Sequence, residues 1–207
     1  NRLGASALMQ GLADGYFVLP YTIQNYLADQ ITVPRFSTEL PEFAEAEKAV
    51  QARIDHLMGI KGKESVDSIH KKLGHIMWEY VGMGRTEEGL KTALKLLKEI
   101  RQEFETSLFI PGSTEGVNIE LEKALRLNDF ITMGELIAYD ALNRNESCGG
   151  HFREEYQTEE GEAKRDDENY FYVSCWEYQG SDDVAPVLYK EPLVYEAIKV
   201  QTRNYKS

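Results

Sequence analysis

Long apolar runs, clustered basic residues and cysteines are all scarce in this sequence of 207 residues. A membrane-spanning helix needs roughly 20 apolar residues, and the best stretch, residues 131–142, is interrupted by Glu135 and Asp140. Lys and Arg number 23 against 35 Asp and Glu, a formal net charge of −12. That balance disfavours nucleic acid as a partner, because phosphate-backbone affinity comes from basic clusters. Two cysteines do not build a disulfide scaffold and favour a reducing compartment.

The remaining composition suits a folded protein with a proper core, since 42% of the residues are hydrophobic and 28% are charged. The length allows one large domain or two small ones. No basic segment followed by an apolar one marks a signal peptide. Because the sequence opens on Asn1 rather than Met, we expect it to be a piece of a longer protein.

Amphipathic helices dominate the predicted secondary structure. A first helix is predicted from about Ser6, with a kink or break at Pro20, and residues 31–41 are predicted to connect it to the next. Four helices should follow between about residues 41 and 142, with Ser65 and Thr86 as N-caps of the second and third. The apolar residues of the fourth, from about Asn118, are spread widely, so we expect that helix to be buried on several sides.

The C-terminal region has a different pattern. Aromatic and smaller residues alternate over 170–178, which predicts a strand, and residues 184–189 can return beside it as an edge strand because of Pro186. Residues 193–200 are expected to be extended. The predicted fold class is mainly α: an antiparallel helical bundle, spectrin-repeat-like with three to four helices, and a small C-terminal segment with a β-hairpin. The predicted divisions are residues 1–38, 39–145 and 146–207.

Self-contained catalytic motifs are missing from the sequence. We find no G-x-G-x-x-G, P-loop, C-x-x-C or H-E-x-x-H pattern. Cys148 and Cys175 are 27 residues apart without ligand-like neighbours, and His70 and His75 splay apart on a predicted helix. We therefore expect no metal site.

Two segments stand out as candidate functional sites. In the first, Arg2 precedes a glycine-containing turn and a helix start, whose amides suit an anionic or carbonyl group; an exposed terminal arginine is the plainer interpretation. The second, residues 146–155, is a dense polar cluster after the last predicted helix. Its alternative interpretation is an ordinary helix C-terminus with cationic side chains near the negative end of the dipole.

Several blocks of the sequence resemble the flavoprotein subunits of the succinate dehydrogenase and fumarate reductase family. N-R-L-G-A-x-x-L begins at Asn1, and residues 73–90 read L-G-H-I-M-W-E-Y-V-G-M-G-R-T-E-E-G-L. Residues 146–155 are similar to the family's E-S-R-G-x-H-x-R-E/D, and residues 165–169 to its R-D-D-E-x. The blocks occur in the family's order and match its C-terminal portion only.

The resemblance implies roles for particular residues. Arg2 is expected to hold a carboxylate of a dicarboxylate substrate, and Ala7 and Leu8 to contact FAD through backbone groups, although Ala7 replaces a family serine. His151 and Arg153 are expected to tie the C-terminal segment to the flavin domain rather than to react. Cys148 replaces a family arginine. The resemblance places no catalytic residue and no FAD fingerprint in this chain, so we expect it to be inactive and cofactor-free alone.

For the parent protein, the resemblance implies a flavoprotein oxidoreductase that interconverts succinate and fumarate by hydride transfer to or from FAD. It also implies an iron–sulfur subunit, a membrane anchor subunit and a quinone pool as electron partners. The expected location is cytoplasmic, peripheral on the inner face of the bacterial plasma membrane. The alternatives are a stand-alone helical interaction module and a related flavoprotein such as aspartate oxidase or adenylylsulfate reductase.

Overall fold

The computed structural model of the chain describes residues 6–180 and 184–201. It confirms a mainly helical protein with a small antiparallel hairpin near the C-terminus. In chain order the elements are α1 Ser6–Ala13, a π-helical segment Asp14–Val18, α2 Leu19–Leu27, α3 Pro41–Gly59, β1 Glu64–Ser65, α4 Val66–Val81, α5 Glu87–Ser107, β2 Leu108–Phe109, α6 Ile119–Asn143, α7 Asp167–Tyr170, β3 Tyr172–Glu177 and β4 Val187–Pro192.

The N-terminal helix is interrupted where the sequence predicts it. The π-helical segment lies directly before α2, and Pro20 occupies the first turn of α2, where its missing N–H costs no hydrogen bond. Most of the apolar side chains of this region are exposed to solvent. They include Leu8, Met9, Leu12, Tyr16, Phe17, Tyr21, Ile23, Tyr26, Ile31 and Phe36.

Helix α3 buries less than its pattern predicts. Leu57 is buried and Ile54 is half-buried, but Phe43 and Val50 keep 48% and 59% of their surface exposed. The buried face that the spacing of Phe43, Val50, Ile54 and Leu57 predicts is therefore wrong for the first half of α3. Residues 41–53 are all exposed.

The chain divides into two compact units, and the first comprises Asn1–Gly74 and Lys98–Thr132. Its core is formed by Leu57, Val66, Ile69, Leu73, Ile100, Phe104, Leu108, Ile110, Ala124, Leu127 and Ile131. Ion pairs at the rim join its helices: Arg53 to Asp129 at 3.2 Å, and Lys72 to Glu103. The two-residue strands β1 and β2 pair in parallel, too short for the sequence pattern to reveal.

Side-chain caps begin the long helices, at Ser65 and Thr86 as predicted and at Asn118 in addition. The hydroxyl of Ser65 accepts the amide of Ser68 at 3.1 Å before α4. Thr86 accepts the amide of Gly89 at 3.0 Å in the first turn of α5. Asn118 Oδ1 accepts the amide of Leu121 at 3.1 Å at the start of α6. Each cap satisfies an amide that has no partner inside its own helix.

Helix α6 buries one face only, so the prediction of burial on several sides is wrong. Its buried positions recur every three or four residues: Ala124, Leu127, Ile131, Gly134, Ala138 and Ala141. Four of the six are Ala or Gly, which contribute little to a hydrophobic pattern. The larger apolar residues flank that line; Leu121, Leu125 and Leu136 are half-buried and Ile137 is exposed.

The second unit comprises His75–Leu97 and Met133–Ser207. Its hairpin pairs β3 with β4 in antiparallel register, from Tyr172 opposite Pro192 to Glu177 opposite Val187. The strands start later than predicted, because Asp166 caps the short helix α7 and Pro186 precedes the first paired residue of β4. Trp176 attaches the hairpin to α6 by donating to Asp140 Oδ1 at 2.8 Å.

No described helix of the chain is both long enough and apolar enough to cross a membrane.

Candidate functional site

The candidate site residues fall into three groups in the structure. Arg2 lies outside the described residues. Ala7 and Leu8 are in the first turn of α1, in the first unit, and are exposed, Leu8 by 75%. His151 and Arg153 are buried in the second unit, where the structure brings them together.

A short backbone frame holds His151 and Arg153. The turn between Cys148 and His151 closes with two backbone hydrogen bonds of 2.8 and 3.0 Å, and Gly149 within it has a φ of 60°. Residues 152–154 then pair with Arg85: its amide donates to Phe152 at 3.1 Å, and its carbonyl accepts the amide of Glu154 at 2.8 Å. This pairing connects the segment after α6 to the loop between α4 and α5.

Arg153 caps the C-terminal end of α6 from outside the helix. Its side chain is fully buried, and Nη1 donates to the carbonyls of Ala141 and Leu142 at 3.0 and 3.4 Å. These carbonyls belong to the last turn, where the helix leaves its acceptors without internal partners and where its dipole favours a cation. The alternative interpretation of the cluster, a helix end surrounded by cationic side chains, therefore describes the position of Arg153.

Buried hydrogen bonds also fix the residues between α6 and Arg153. The hydroxyl of Ser147 accepts the amide of Arg153 at 2.8 Å and donates to its carbonyl at 3.1 Å. The carboxylate of Glu146 accepts from Arg144 Nη1 at 2.8 Å and from the amide of Asp166 at 2.9 Å. Because both Ser147 and Glu146 are buried, these bonds are made in an environment where an unmatched polar group is costly.

His151 lies between two arginines in a defined protonation state. Its Nε2 lies 2.9 Å from the carbonyl of Arg144, so this nitrogen carries the proton and donates. Arg85 Nη1 donates to Nδ1 at 2.9 Å, and the same arginine donates through Nε to the carbonyls of Val81 and Gly82. Burial lowers the pKa of His151, and Arg85, Arg153 and Arg144 add to that effect. His151 is therefore a neutral structural link.

Glu155 completes the cluster at the start of α5. Its carboxylate accepts from Arg153 Nε at 3.1 Å and from the backbone amide of Glu87, the first residue of α5. Partial burial alone raises the pKa of Glu155, but the Glu87 amide and the Arg153 guanidinium outweigh it and hold the pKa below its usual value. The carboxylate thus stays ionised and stabilises both the helix start and the buried cation.

The cluster has the chemistry of a structural site. Most of its donors and acceptors face one another or the backbone, and the buried hydroxyl of Ser147 pairs with backbone groups of Arg153. The thiol of Cys148 is half-buried, and burial raises its pKa, so little thiolate forms at neutral pH. The described part of the chain also contains no group of three or more side chains suited to a metal ion.

Sequence reasoning placed His151 and Arg153 together but missed their main partners. Arg85 lies more than 60 residues earlier, after the glycine turn that ends α4. The sequence feature that could have indicated Arg85 as a partner is its position in the R-T-E-E-G-L block that resembles the family. Arg144 and Ser147 flank the same polar cluster, but no local pattern indicates that one donates to the hairpin and the other to Arg153.

A family model described as fumarate reductase flavoprotein C-term matches residues 70–205 of this sequence. The chain belongs to this flavoprotein C-terminal family. The match includes every residue of the cluster from Arg85 to Glu155. The E-S-x-G-x-H-x-R block recognised in the sequence supplies its buried polar residues Glu146, Ser147, His151 and Arg153.

Known relatives extend the similarity over most of the chain. The fumarate reductase flavoprotein subunit of Helicobacter pylori is 28% identical over 193 residues, which are 93% of this chain and 25% of that protein. The chloroplastic L-aspartate oxidase 2-b of Nicotiana tabacum is 37% identical over 88 residues, which are 42% of this chain and 13% of that protein. The chain thus spans about a quarter or less of these relatives' lengths.

Among solved structures, the quinol fumarate reductase of E. coli matches with a TM-score of 0.64 and 22% identity. The match covers 83% of this chain and 28% of that one. At this identity the match shows that the two proteins share this part of the fold.

Proposed function

We propose that this chain is the C-terminal part of a flavoprotein that interconverts succinate and fumarate. The observation that supports the proposal most is the similarity to a fumarate reductase flavoprotein subunit across 93% of the chain, together with the family match over residues 70–205. The chain corresponds to a quarter of that relative, so the activity is proposed for the parent protein and not for this piece alone.

The parent protein is proposed to bind FAD, which supplies the acceptor or donor of the hydride. The start of α1 fits one edge of such a cofactor, because Ala7 and Leu8 are exposed in a first helical turn whose amides have no internal partner. Within residues 6–180 and 184–201, no glycine-rich turn between a strand and a helix is present to hold a pyrophosphate. The phosphate site is therefore assigned to the rest of the parent.

Arg2 is proposed to hold one carboxylate of the dicarboxylate substrate. A guanidinium presents two parallel donors that match a carboxylate, and their plane fixes the angle of the substrate methylene relative to the flavin. His151 and Arg153 are proposed to tie the C-terminal segment to the flavin domain. Because both side chains are buried, the proposed connection is indirect: they hold the C-terminal segment on α6 and do not contact the flavin domain themselves.

The exposed apolar surface of the N-terminal region supports a larger parent protein. Between residues 7 and 43, apolar and aromatic side chains face solvent along α1, α2 and the start of α3. Contiguous apolar surface on this scale usually marks an interaction site. We propose that the flavin-binding part of the parent covers it.

The proposed electron partners are an iron–sulfur subunit and a membrane anchor subunit linked to a quinone pool. The support is indirect, from the fold shared with a quinol fumarate reductase. The proposed location is the inner face of the bacterial plasma membrane, where the protein is peripheral and attached through those subunits.

L-aspartate oxidation is the second candidate activity. Its support is the tobacco L-aspartate oxidase, whose identity of 37% is higher but extends over only 42% of this chain. The experiment that tests both candidates uses the full-length parent protein with its bound flavin. Fumarate reduction by a reduced viologen dye, with no L-aspartate oxidation, supports the proposal; the reverse pattern selects the second candidate, and a protein without flavin refutes both.

A further inference from the structure

The loop between α4 and α5, residues 82–86, is attached to the segment after α6 by hydrogen bonds that meet at Arg85. The amide of Arg85 donates to the carbonyl of Phe152, and its carbonyl accepts the amide of Glu154. Beside these backbone bonds, Arg85 Nη1 donates to Nδ1 of His151 at 2.9 Å. Because one residue makes all three bonds, loss of the side-chain bond weakens the backbone pairing as well.

Arg85 also satisfies the end of α4. Its Nε donates to the carbonyls of Val81 and Gly82, both at 3.1 Å. Carbonyls in the last turn of a helix have no acceptor partners inside it and need such a donor. Since Nε and Nη1 belong to one planar guanidinium, a displacement of Nη1 from His151 also disturbs the bonds at the end of α4.

The two ring nitrogens of His151 respond differently to a second proton. Nε2 lies 2.9 Å from the carbonyl of Arg144 and donates to it whether the ring is neutral or protonated. Nδ1 accepts from Arg85 only in the neutral ring, because a proton on Nδ1 would set two N–H donors against each other. Protonation therefore breaks the bond to Arg85 and leaves the bond to Arg144 in place.

The charged groups around the ring oppose a positive charge on His151. Arg85 faces it from the α4–α5 loop, Arg144 from the end of α6, and Arg153 from the segment that follows. Arg153 is fully buried and donates to the last carbonyls of α6, and Arg144 donates to Glu146. Arg85 is the cation whose own hydrogen bond the new proton replaces, so it is the one displaced.

We propose that Arg85 and His151 form an acid-sensitive switch that releases the α4–α5 loop when Nδ1 takes a proton from water. In the closed state, Arg85 donates to the neutral ring and the loop is paired with residues 152–154. In the open state, the guanidinium turns away and that pairing is lost. The bonds that hold Arg153 on α6 do not involve Nδ1, so the release is confined to the loop. The switch does not depend on the activity proposed for the parent protein.

Proton linkage gives the size of the response. An exposed histidine in the open loop has a pKa of about 6.5, whereas burial and the three arginines lower the pKa of His151 in the closed loop. The open state therefore binds the proton first as the pH falls. Between these two pKa values the ratio of open to closed loops should rise roughly tenfold for each pH unit, and it should stay constant above pH 6.5.

Amide hydrogen exchange followed by NMR on the 207-residue chain tests the switch. The reporters are the amides of Arg85 and Glu154, which pair the loop with the segment after α6. After correction for intrinsic exchange, their protection should fall roughly tenfold per pH unit below pH 6.5. Low urea concentrations should leave their exchange unchanged, because a local opening exposes little surface. The amide of Ala138, which is buried in α6, should be better protected and should respond to urea.

Two variants assign the response to one histidine. His151→Gln places an amide that does not titrate at the same position, so the protection of the reporters should no longer change with pH in this range. His75→Gln is the matched control, because His75 is exposed on α4 in the same unit. The control should keep the acid response of the wild type.

Reporters that are unprotected at neutral pH, or whose protection does not change with pH, overturn the switch. Exchange at the reporters that depends on urea as strongly as that of Ala138 shows global unfolding and also contradicts it. A response that persists in His151→Gln assigns the release to another group, such as the Glu155 carboxylate that holds the first amide of α5. If His151→Gln does not fold, the wild type decides: the fall in protection must level off at the pH at which ¹⁵N NMR shows the His151 ring to titrate.

Discussion

Glu155 and Arg153 form an ion pair of 3.1 Å in which the arginine side chain is fully buried. The carboxylate also accepts the first amide of α5, and the guanidinium donates to the last carbonyls of α6. One pair of side chains thus satisfies the start of one helix and the end of another in the second unit. Its loss leaves unmatched groups at both helix ends.

Arg153→Met should therefore destabilise the chain strongly. The methionine fills similar space but leaves the carbonyls of Ala141 and Leu142 and the carboxylate of Glu155 without their donor. We expect the free energy of unfolding to fall by about 3 kcal/mol. Urea denaturation followed by tryptophan fluorescence measures it, since both tryptophans lie in the second unit.

Arg126→Met is the matched control for this experiment, because Arg126 is on the exposed side of α6 and, in the part of the chain that the structure describes, pairs with Glu122, which is also exposed. Exposed pairs contribute little to stability, so the control should unfold at the same urea concentration as the wild type. Equal midpoints for Arg153→Met and the control would contradict the structural role of the cluster.

Ser147→Ala tests the backbone frame of the same cluster. The substitution removes the hydroxyl that matches both the amide and the carbonyl of Arg153. Because these groups are buried, we expect a loss of about 2 kcal/mol in the free energy of unfolding. Ser174→Ala is the control, because Ser174 is half-buried and has no side-chain hydrogen bond in the described structure. This variant should change the free energy of unfolding far less.

The burial of neutral His151 predicts a pH dependence. Its pKa is about 6.5 in the unfolded chain and lower in the folded protein, so the unfolded state binds the proton first as the pH falls. The contribution of neutral His151 to the free energy of unfolding is then complete above pH 6.5. It is lost as the pH drops through the pKa of His151 in the folded protein. His151→Gln should flatten this part of the stability curve. An equally steep decline in the variant would show that other groups cause it.

The sequence predicts most of the fold because the decisive signals are local. The caps Ser65, Thr86 and Asn118 lie within four residues of the amides they satisfy, and the helices between them have clear apolar periods. The face buried by α6 was missed because its contact line is made of small residues. The half-exposed α3 was missed because periodicity cannot show whether a packing partner is present.

The candidate site was less predictable. A family resemblance indicates His151 and Arg153, but their partners come from distant parts of the chain. Arg85 reaches His151 across 66 residues, and Arg144 reaches the carbonyl of Tyr172 across 28. Such contacts depend on how the helices assemble, and no single spacing in the sequence encodes them.

The 207-residue chain by itself should be helical and colourless. Helices α4, α5 and α6 bury their apolar faces without a cofactor, while the described residues include no phosphate-binding turn. Far-UV circular dichroism should show a helical spectrum without added FAD, and the purified chain should not reduce fumarate with a reduced viologen dye. A coil spectrum contradicts the first expectation, and a yellow, active preparation contradicts the second.

Arg2 links this chain to the chemistry proposed for the parent protein. Removing one partner of a desolvated charge pair costs about 2–5 kcal/mol, which is roughly a 30- to 5,000-fold loss. Arg2→Ala should lose at least that much in kcat/KM. Arg2→Lys keeps the charge but not the two parallel donors, so it should recover dicarboxylate binding more than turnover.

The most direct measurement is steady-state kinetics with succinate and fumarate on full-length wild type, Arg2→Ala and Arg2→Lys, at matched flavin content. The account predicts that the wild type interconverts the two dicarboxylates, that both variants retain flavin, and that Arg2→Ala loses kcat/KM by the factor given above. Near wild-type kcat/KM in Arg2→Ala, or a flavin-loaded wild type that converts neither dicarboxylate, would contradict it.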